Sequence, residues 1–112
     1  MSLDEVLRKH GIDPSKVVCG ASCGDGWASL IDELITDLVA LGWDKDLHQL
    51  KEKFGGLRFC VGTYDARIDA RISRAEHESW RVCEQCGAAG KRRGGGWIET
   101  LCDGCDAARR PS

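Results

Sequence analysis

Four cysteines near the end of the chain, Cys83, Cys86, Cys102 and Cys105, are spaced C-x2-C-x15-C-x2-C, within the range of four-cysteine zinc sites. Two residues between the members of each pair let both thiolates turn toward one ion, and the intervening fifteen suffice for a short hairpin that brings the pairs together. Gly87 and Gly104 relax the backbone where it curls, so that amides can approach the sulfurs. Four soft thiolates select Zn2+ over magnesium or calcium. They also fill every tetrahedral position, which leaves none for a reacting water and makes the ion structural rather than catalytic. An iron–sulfur cluster is the other occupant such a donor set admits. A redox dithiol would show one C-x-x-C beside a βαβ pattern, whereas here two copies flank a glycine-rich turn.

The remaining chemistry is sparse. Cys19, Cys23 and Cys60, with His48 or His10, compose a second metal site only if the fold gathers them, and buried free thiols are the ordinary outcome. No nucleophile motif surrounds these cysteines or the three histidines, His10, His48 and His77. The stretch between the cysteine pairs holds neither histidine nor asparagine, which disfavours a nuclease built on a zinc-stabilised ββα unit. The loop Gly20 to Gly26 precedes a helix but lacks the Gly-Lys-Ser/Thr ending of a phosphate loop. Asp25 would repel phosphate there. Cations cluster twice instead, as Lys51, Lys53 and Arg58 and as Lys91, Arg92 and Arg93 beside Gly94, Gly95 and Gly96. Of the four tryptophans, 27, 43, 80 and 97, Trp43 and Trp97 are the candidates for exposure and hence for a binding surface.

These residues need elements to position them. Ser2 and Glu5 have the form of a capping box for a helix over 3–10, stopped by Gly11. The segment between Val18 and Trp27 is a loop without regular structure. Asp25 then caps a helix over 25–41, whose stripe is Trp27, Leu30, Ile31, Leu34, Ile35, Leu38 and Leu41. Period-two alternation over 47–63 predicts a hairpin. With Gly55-Gly56 as its turn, His48, Leu50, Glu52, Phe54, Leu57, Phe59, Val61 and Thr63 share the covered face, and Gln49, Lys51, Lys53, Arg58, Cys60 and Gly62 share the other. Glu52 is out of place on the apolar face, a sign of a bulge or a different turn. Asp65 caps a helix over 65–80 with the stripe Ile68, Ile72, Ala75 and Ser79, and residues 106–110 make about one further helical turn.

Composition bounds the rest. The chain has 112 residues, 42% hydrophobic and 30% charged, with no apolar run near membrane length and no apolar leader, so the expected compartment is the cytoplasm. Residues 1–50 hold four Lys/Arg against nine Asp/Glu, net −5, and residues 51–112 hold twelve against nine, net +3. An anionic partner would meet the second half. The expected fold is α+β: amphipathic helices packed on a β-hairpin over residues 1–80, with a four-cysteine zinc ribbon or truncated treble clef over 81–112 packed against them.

Five stretches in order, CGDGW at 23–27, KEKFGGLRF at 51–59, AE-x-x-S at 75–79, CEQCG at 83–87 and GW-I-E-TLC at 96–102, resemble a group of small proteins of unassigned function encoded by bacteriophages and prophages. The resemblance covers residues 19–105. It implies a protein that binds and inhibits a host bacterial protein, including CRISPR effectors and other defence systems, or that redirects host transcription. The cysteine pairs are also similar to the zinc segment of DksA/TraR-type transcription factors, but this chain has a β-hairpin where those have a long helical hairpin. The expectation is therefore a non-enzymatic, zinc-binding inhibitor of a host protein. The alternative is a nucleic-acid-binding regulator that uses Lys51, Lys53, Arg58, Lys91, Arg92, Arg93 and Trp97.

Overall fold

The computed structural model describes residues 1–94 and 97–109. Gly95 and Gly96 of the expected basic tip, and Arg110 to Ser112 at the end of the expected last turn, lie outside the described residues. Among the described residues, four α-helices and two small sheets make a mixed α/β architecture. No helix among the described residues is long and apolar enough to cross a membrane.

Helix α1, Leu3–Lys9, begins at Ser2, whose hydroxyl accepts the Glu5 amide as the capping pattern predicts. Asp25 corrects its assignment. Its carboxylate accepts the Leu3 amide at 3.0 Å and so caps α1 across the fold, while residues 25–27 form a 3-10 turn leading into α2, Ala28–Ala40. The loop before that turn is also less irregular than expected. Ala21–Ser22 form β1, which pairs in parallel with Leu50 and Lys51 of β2, Leu47–Lys53.

β2 pairs antiparallel with β3, Gly56–Val61, in a register two positions from the one expected: Lys53 faces Gly56 and Lys51 faces Arg58. The turn residues are therefore Phe54 and Gly55, at φ +53° and +81°, the left-handed pair that a two-residue turn of this type requires. Glycine takes that conformation freely. Phenylalanine does so at a cost of about 1–3 kcal/mol. A slip of two keeps every side chain on its face, which is why Leu50, Leu57 and Phe59 are buried as predicted although the pairing differs. The bulge lies between Leu47 and Gln49, so Leu47 is buried and His48 is exposed, the reverse of the simple alternation. Glu52 is explained by the turn, where its carboxylate accepts the Gly55 amide at 2.9 Å.

α3, Ala66–Ser79, starts at Asp65 and buries Ile68, Ile72, Ala75 and Ser79, all as expected. It packs along β3, with α2 against α3 and α1 against α2. Two α3 side chains also occupy the outer edge of β3, where Ser79 Oγ accepts the Leu57 amide at 2.8 Å and Glu76 accepts the Phe59 amide at 3.0 Å. The helix thus does for that edge what a further strand would do. Trp43, a candidate for partial exposure, is buried against Phe59 with its indole N–H on Asp46.

The second sheet is the short hairpin of β4, Lys91–Arg93, and β5, Glu99–Leu101. α4, Asp103–Arg109, follows directly and is longer than the single turn expected from 106. Gly104 lies in its first turn without a positive φ, and a Cβ there would meet nothing within 4 Å, so neither conformation nor space requires glycine at this position.

Candidate metal centre

The sulfurs of Cys83, Cys86, Cys102 and Cys105 all lie within 4.8 Å of one another, and Cys86 and Cys102 Sγ are 3.6 Å apart. Four sulfurs about 2.3 Å from a common centre would sit about 3.8 Å apart. The donor set and spacing fit one tetrahedral ion. Cys83 and Cys86 flank a tight turn in which the Gly87 amide returns to the Cys83 carbonyl at 2.9 Å, with Gly87 at φ +84°. Cys102 precedes α4 and Cys105 sits in its first turn, where the Cys105 amide donates to Cys102 Sγ at 3.4 Å. The β4–β5 hairpin brings the two pairs together, as the fifteen-residue spacing predicts.

The electrostatics of the group explain what an ion would supply. Burial raises the Cys83 thiol, but the backbone amides of Cys102, Cys86 and Gln85 outweigh it and bring it down to about 6. Hydrogen bonding with Cys102, then Cys83 and Cys86, pushes Cys105 up to about 12. The Ala88 amide pulls Cys86 down, yet the Cys102 and Cys83 sulfurs win and leave it raised. One sulfur ionises easily and its neighbours then resist. A dication removes that repulsion.

A second layer, absent from any reading of the cysteine motif, fixes the turn. Gly24 donates its amide to Glu84 Oε2 and Gly26 donates to the Glu84 carbonyl, both at 2.7 Å, and Trp27 Nε1 donates to the Val82 carbonyl at 2.8 Å. A Cβ on Gly26 would fall 2.2 Å from the Cys83 carbonyl, and one on Gly24 would fall 2.3 Å from the Glu84 carbonyl. CGDGW is thus the cradle of CEQCG. On the other side the hairpin tip is fastened to the same segment. Thr100 donates to the Gly55 carbonyl, Arg92 donates to the Phe54 carbonyl at 2.9 Å, and the Arg92 guanidinium lies 4.9 Å over the Trp80 ring. Trp80 lies against Gly56 so closely that a Cβ there would be 2.2 Å from its indole nitrogen.

The candidate contact residues separate into two groups. Lys51, Lys53 and Arg58 are exposed on the hairpin's outer face, and Lys91, Arg92 and Trp97 are exposed on the cysteine-bearing segment. Arg93 is not. Its guanidinium is half-buried and paired with Asp103 and Asp106, with Nε on the Leu101 carbonyl, so it braces α4 against the β4–β5 hairpin. Phe54 corrects the expected face: placed among the covered residues by the alternation, it sits in the turn instead and is 65% exposed beside them.

The spare cysteines do not assemble. Among the described residues, metal-ligating side chains gather only at Cys83, Cys86, Cys102 and Cys105. Burial, then Glu84 and Asp25, raises the Cys23 thiol to about 12, which makes it a poor nucleophile. His10 bonds Asp32, and His77 rests 5.2 Å from the Trp80 ring. Comparison with family models, with curated proteins and with solved structures yields no match to this chain.

Proposed function

We propose that the four cysteines hold a structural Zn2+ in a truncated treble-clef arrangement, and that the protein is a non-enzymatic, phage-type binding protein that inhibits or redirects a host bacterial protein in the host cytoplasm. Thiolate softness and tetrahedral spacing support zinc. The knuckle at 83–86, the β4–β5 hairpin and a helix carrying the last ligand support the arrangement. With four thiolates bound the ion would have no open position, so its work is to order the segment.

The observation that carries the binding reading is the fastening of the β2–β3 tip onto the cysteine-bearing segment. Thr100 and Arg92 hold the turn from below while the Phe54 ring stands in solvent. A rigid, exposed aromatic ring beside a metal-ordered platform is a contact device. Affinity purification of the zinc-loaded chain from host lysate tests it, with one stoichiometric protein partner expected; recovery of none would overturn the reading. Metal analysis with one Zn2+ per chain tests the ligand assignment independently.

Nucleic acid is the second reading, favoured by the absence of any ion pair on Lys51, Lys53 or Arg58 among the described residues. Charge weakens it. Four thiolates and one dication add −2 to the formal −2 of the chain, giving −4. A gel shift at low salt that weakens steeply as salt rises would support it.

A further inference from the structure

We infer that the β2–β3 tip is the docking knob of this protein, with Phe54 as the anchor and Lys51, Lys53 and Arg58 as a cationic rim. Its occupant is an apolar pocket bordered by carboxylates on a partner protein. The inference rests on the binding reading above and names the surface and the chemistry of the partner.

Three independent observations meet at Phe54. The first is conformational. A two-residue turn of this kind prefers Asn-Gly or Gly-Gly, yet the chain places a bulky aromatic at φ +53°. A residue that strains the backbone and leaves its ring 65% exposed serves neither the turn nor the core. The second is rigidity: Glu52 holds the Gly55 amide, Thr100 the Gly55 carbonyl and Arg92 the Phe54 carbonyl. A ring presented on a fixed backbone loses little freedom on binding. The third is charge. Lys53 Nζ lies 5.9 Å over the Phe54 ring, and Lys51 and Arg58 face each other across the strands behind it. None of the three has a carboxylate within 4.0 Å among the described residues. Unpaired cations around an apolar anchor complement carboxylates around an apolar pocket.

A protein fits better than a nucleic acid. Arg92 and Arg93, the two guanidiniums best placed to clamp phosphates from the β4–β5 hairpin, are engaged with Trp80 and the Phe54 carbonyl and with Asp103 and Asp106. The net negative charge of the whole molecule also opposes approach to a polyanion.

The test places the photocrosslinker p-benzoylphenylalanine at position 54 of the zinc-loaded chain, and in separate chains at Tyr64 and Val18, which are 82% and 77% exposed. Irradiation in host lysate should give a protein adduct from position 54 at least tenfold above either control. The adduct site should lie in an apolar patch flanked by Asp or Glu, and excess wild-type chain should suppress it. Phe54→Asn supplies the folding control, because Asn-Gly is the preferred turn. Its melting temperature should match or exceed wild type, while its ability to compete for the adduct should fall at least tenfold. Equal adducts from Tyr64 or Val18, or full competition by Phe54→Asn, would overturn the docking surface and leave the binding reading standing. An adduct to nucleic acid at position 54 would overturn the partner class. If the wild-type chain retains no stoichiometric partner, the binding reading fails and the knob with it.

Discussion

Between Leu3 and Ala75, twenty apolar side chains bury themselves in one cluster that joins α1, α2, α3 and the β2–β3 hairpin. Between Arg81 and Arg109, the buried apolar side chains among the described residues are Cys83 and Leu101, and only Val82 reaches the main cluster as a partly buried neighbour. The first region can fold by removing apolar surface from water. The second has too little to remove; its order rests on the contacts it makes with the first and, on the proposed reading, on a metal ion held by the four cysteines. The same molecule therefore combines two sources of stability, and the hairpin tip and the CGDGW cradle are where they meet.

Stripping the metal should break this comparison open most widely, since structural zinc sites contribute about 10–16 kcal/mol of apparent binding free energy. With a strong chelator, or in Cys83→Ser, amide protection should collapse over β4, β5 and α4 while α1, α2 and β2 stay protected. Hydrogen exchange read by mass spectrometry would show the split. Simultaneous loss of protection in α2 would mean that the regions form one cooperative unit, and the division by force would be wrong.

Leu34→Ala attacks the other side. Leu34 is fully buried in α2, and truncating such a residue costs about 2–5 kcal/mol through lost transfer energy and the cavity left behind. Denaturant unfolding of the metal-loaded protein should shift by that amount. Metal affinity of the folded variant should change less than twofold, which a competing chelator can measure.

What the sequence made legible follows the same division. The apolar stripes of α2 and α3 and the alternation of β2 and β3 are periodic signals, and they predicted most of the buried positions even where the hairpin pairing was off by two; His48 and Phe54, assigned to the covered face, are exposed because the bulge and the turn interrupt the alternation. The four cysteines were legible because ligand spacing is local. What was hidden is long-range: Asp25 as the cap of α1, Glu76 and Ser79 on the edge of β3, Gly24 and Gly26 against Glu84, and Thr100 on the hairpin turn. Each joins residues 17 or more positions apart, and no periodicity encodes such a meeting. Arg93 shows the reverse error. It reads as one of three free cations, yet its two aspartate partners lie 10 and 13 positions away.

The cradle gives a sharper test of how the regions communicate. Gly26→Ala would drive a methyl group to 2.2 Å from the Cys83 carbonyl, against backbone that cannot rotate away. Overpacking of this kind costs about 1–3 kcal/mol. The loss should fall on the cysteine turn, so the variant should release metal to a chelator about tenfold more readily while the midpoint of α2 unfolding stays near wild type. An unchanged metal affinity would show that the turn is set by its own four residues and that CGDGW is only a neighbour.

The smallest effect belongs to the first region and marks its independence. Asp32 on α2 accepts from Lys9 at 2.9 Å and lies 2.6 Å from His10 Nε2, so it ties α1 to α2. The Lys9 bond first, and then the His10 bond, hold its carboxyl below the ordinary value. A lowered carboxylate stabilises the fold at pH values above its unfolded pKa and loses that contribution as acid protonates it. Asp32→Asn should therefore cost about 1 kcal/mol near neutral pH, the scale of a charge-assisted bond at a partly exposed site. The difference from wild type should shrink as pH falls below about 4 and vanish in stronger acid. Metal affinity at neutral pH should not move, because among the described residues the carboxylate of Asp32 bonds only Lys9 and His10. A pH-independent cost would mean that the carboxylate acts through packing alone, and a change in metal affinity would mean that α1 reaches the metal through the Leu3–Asp25 bond.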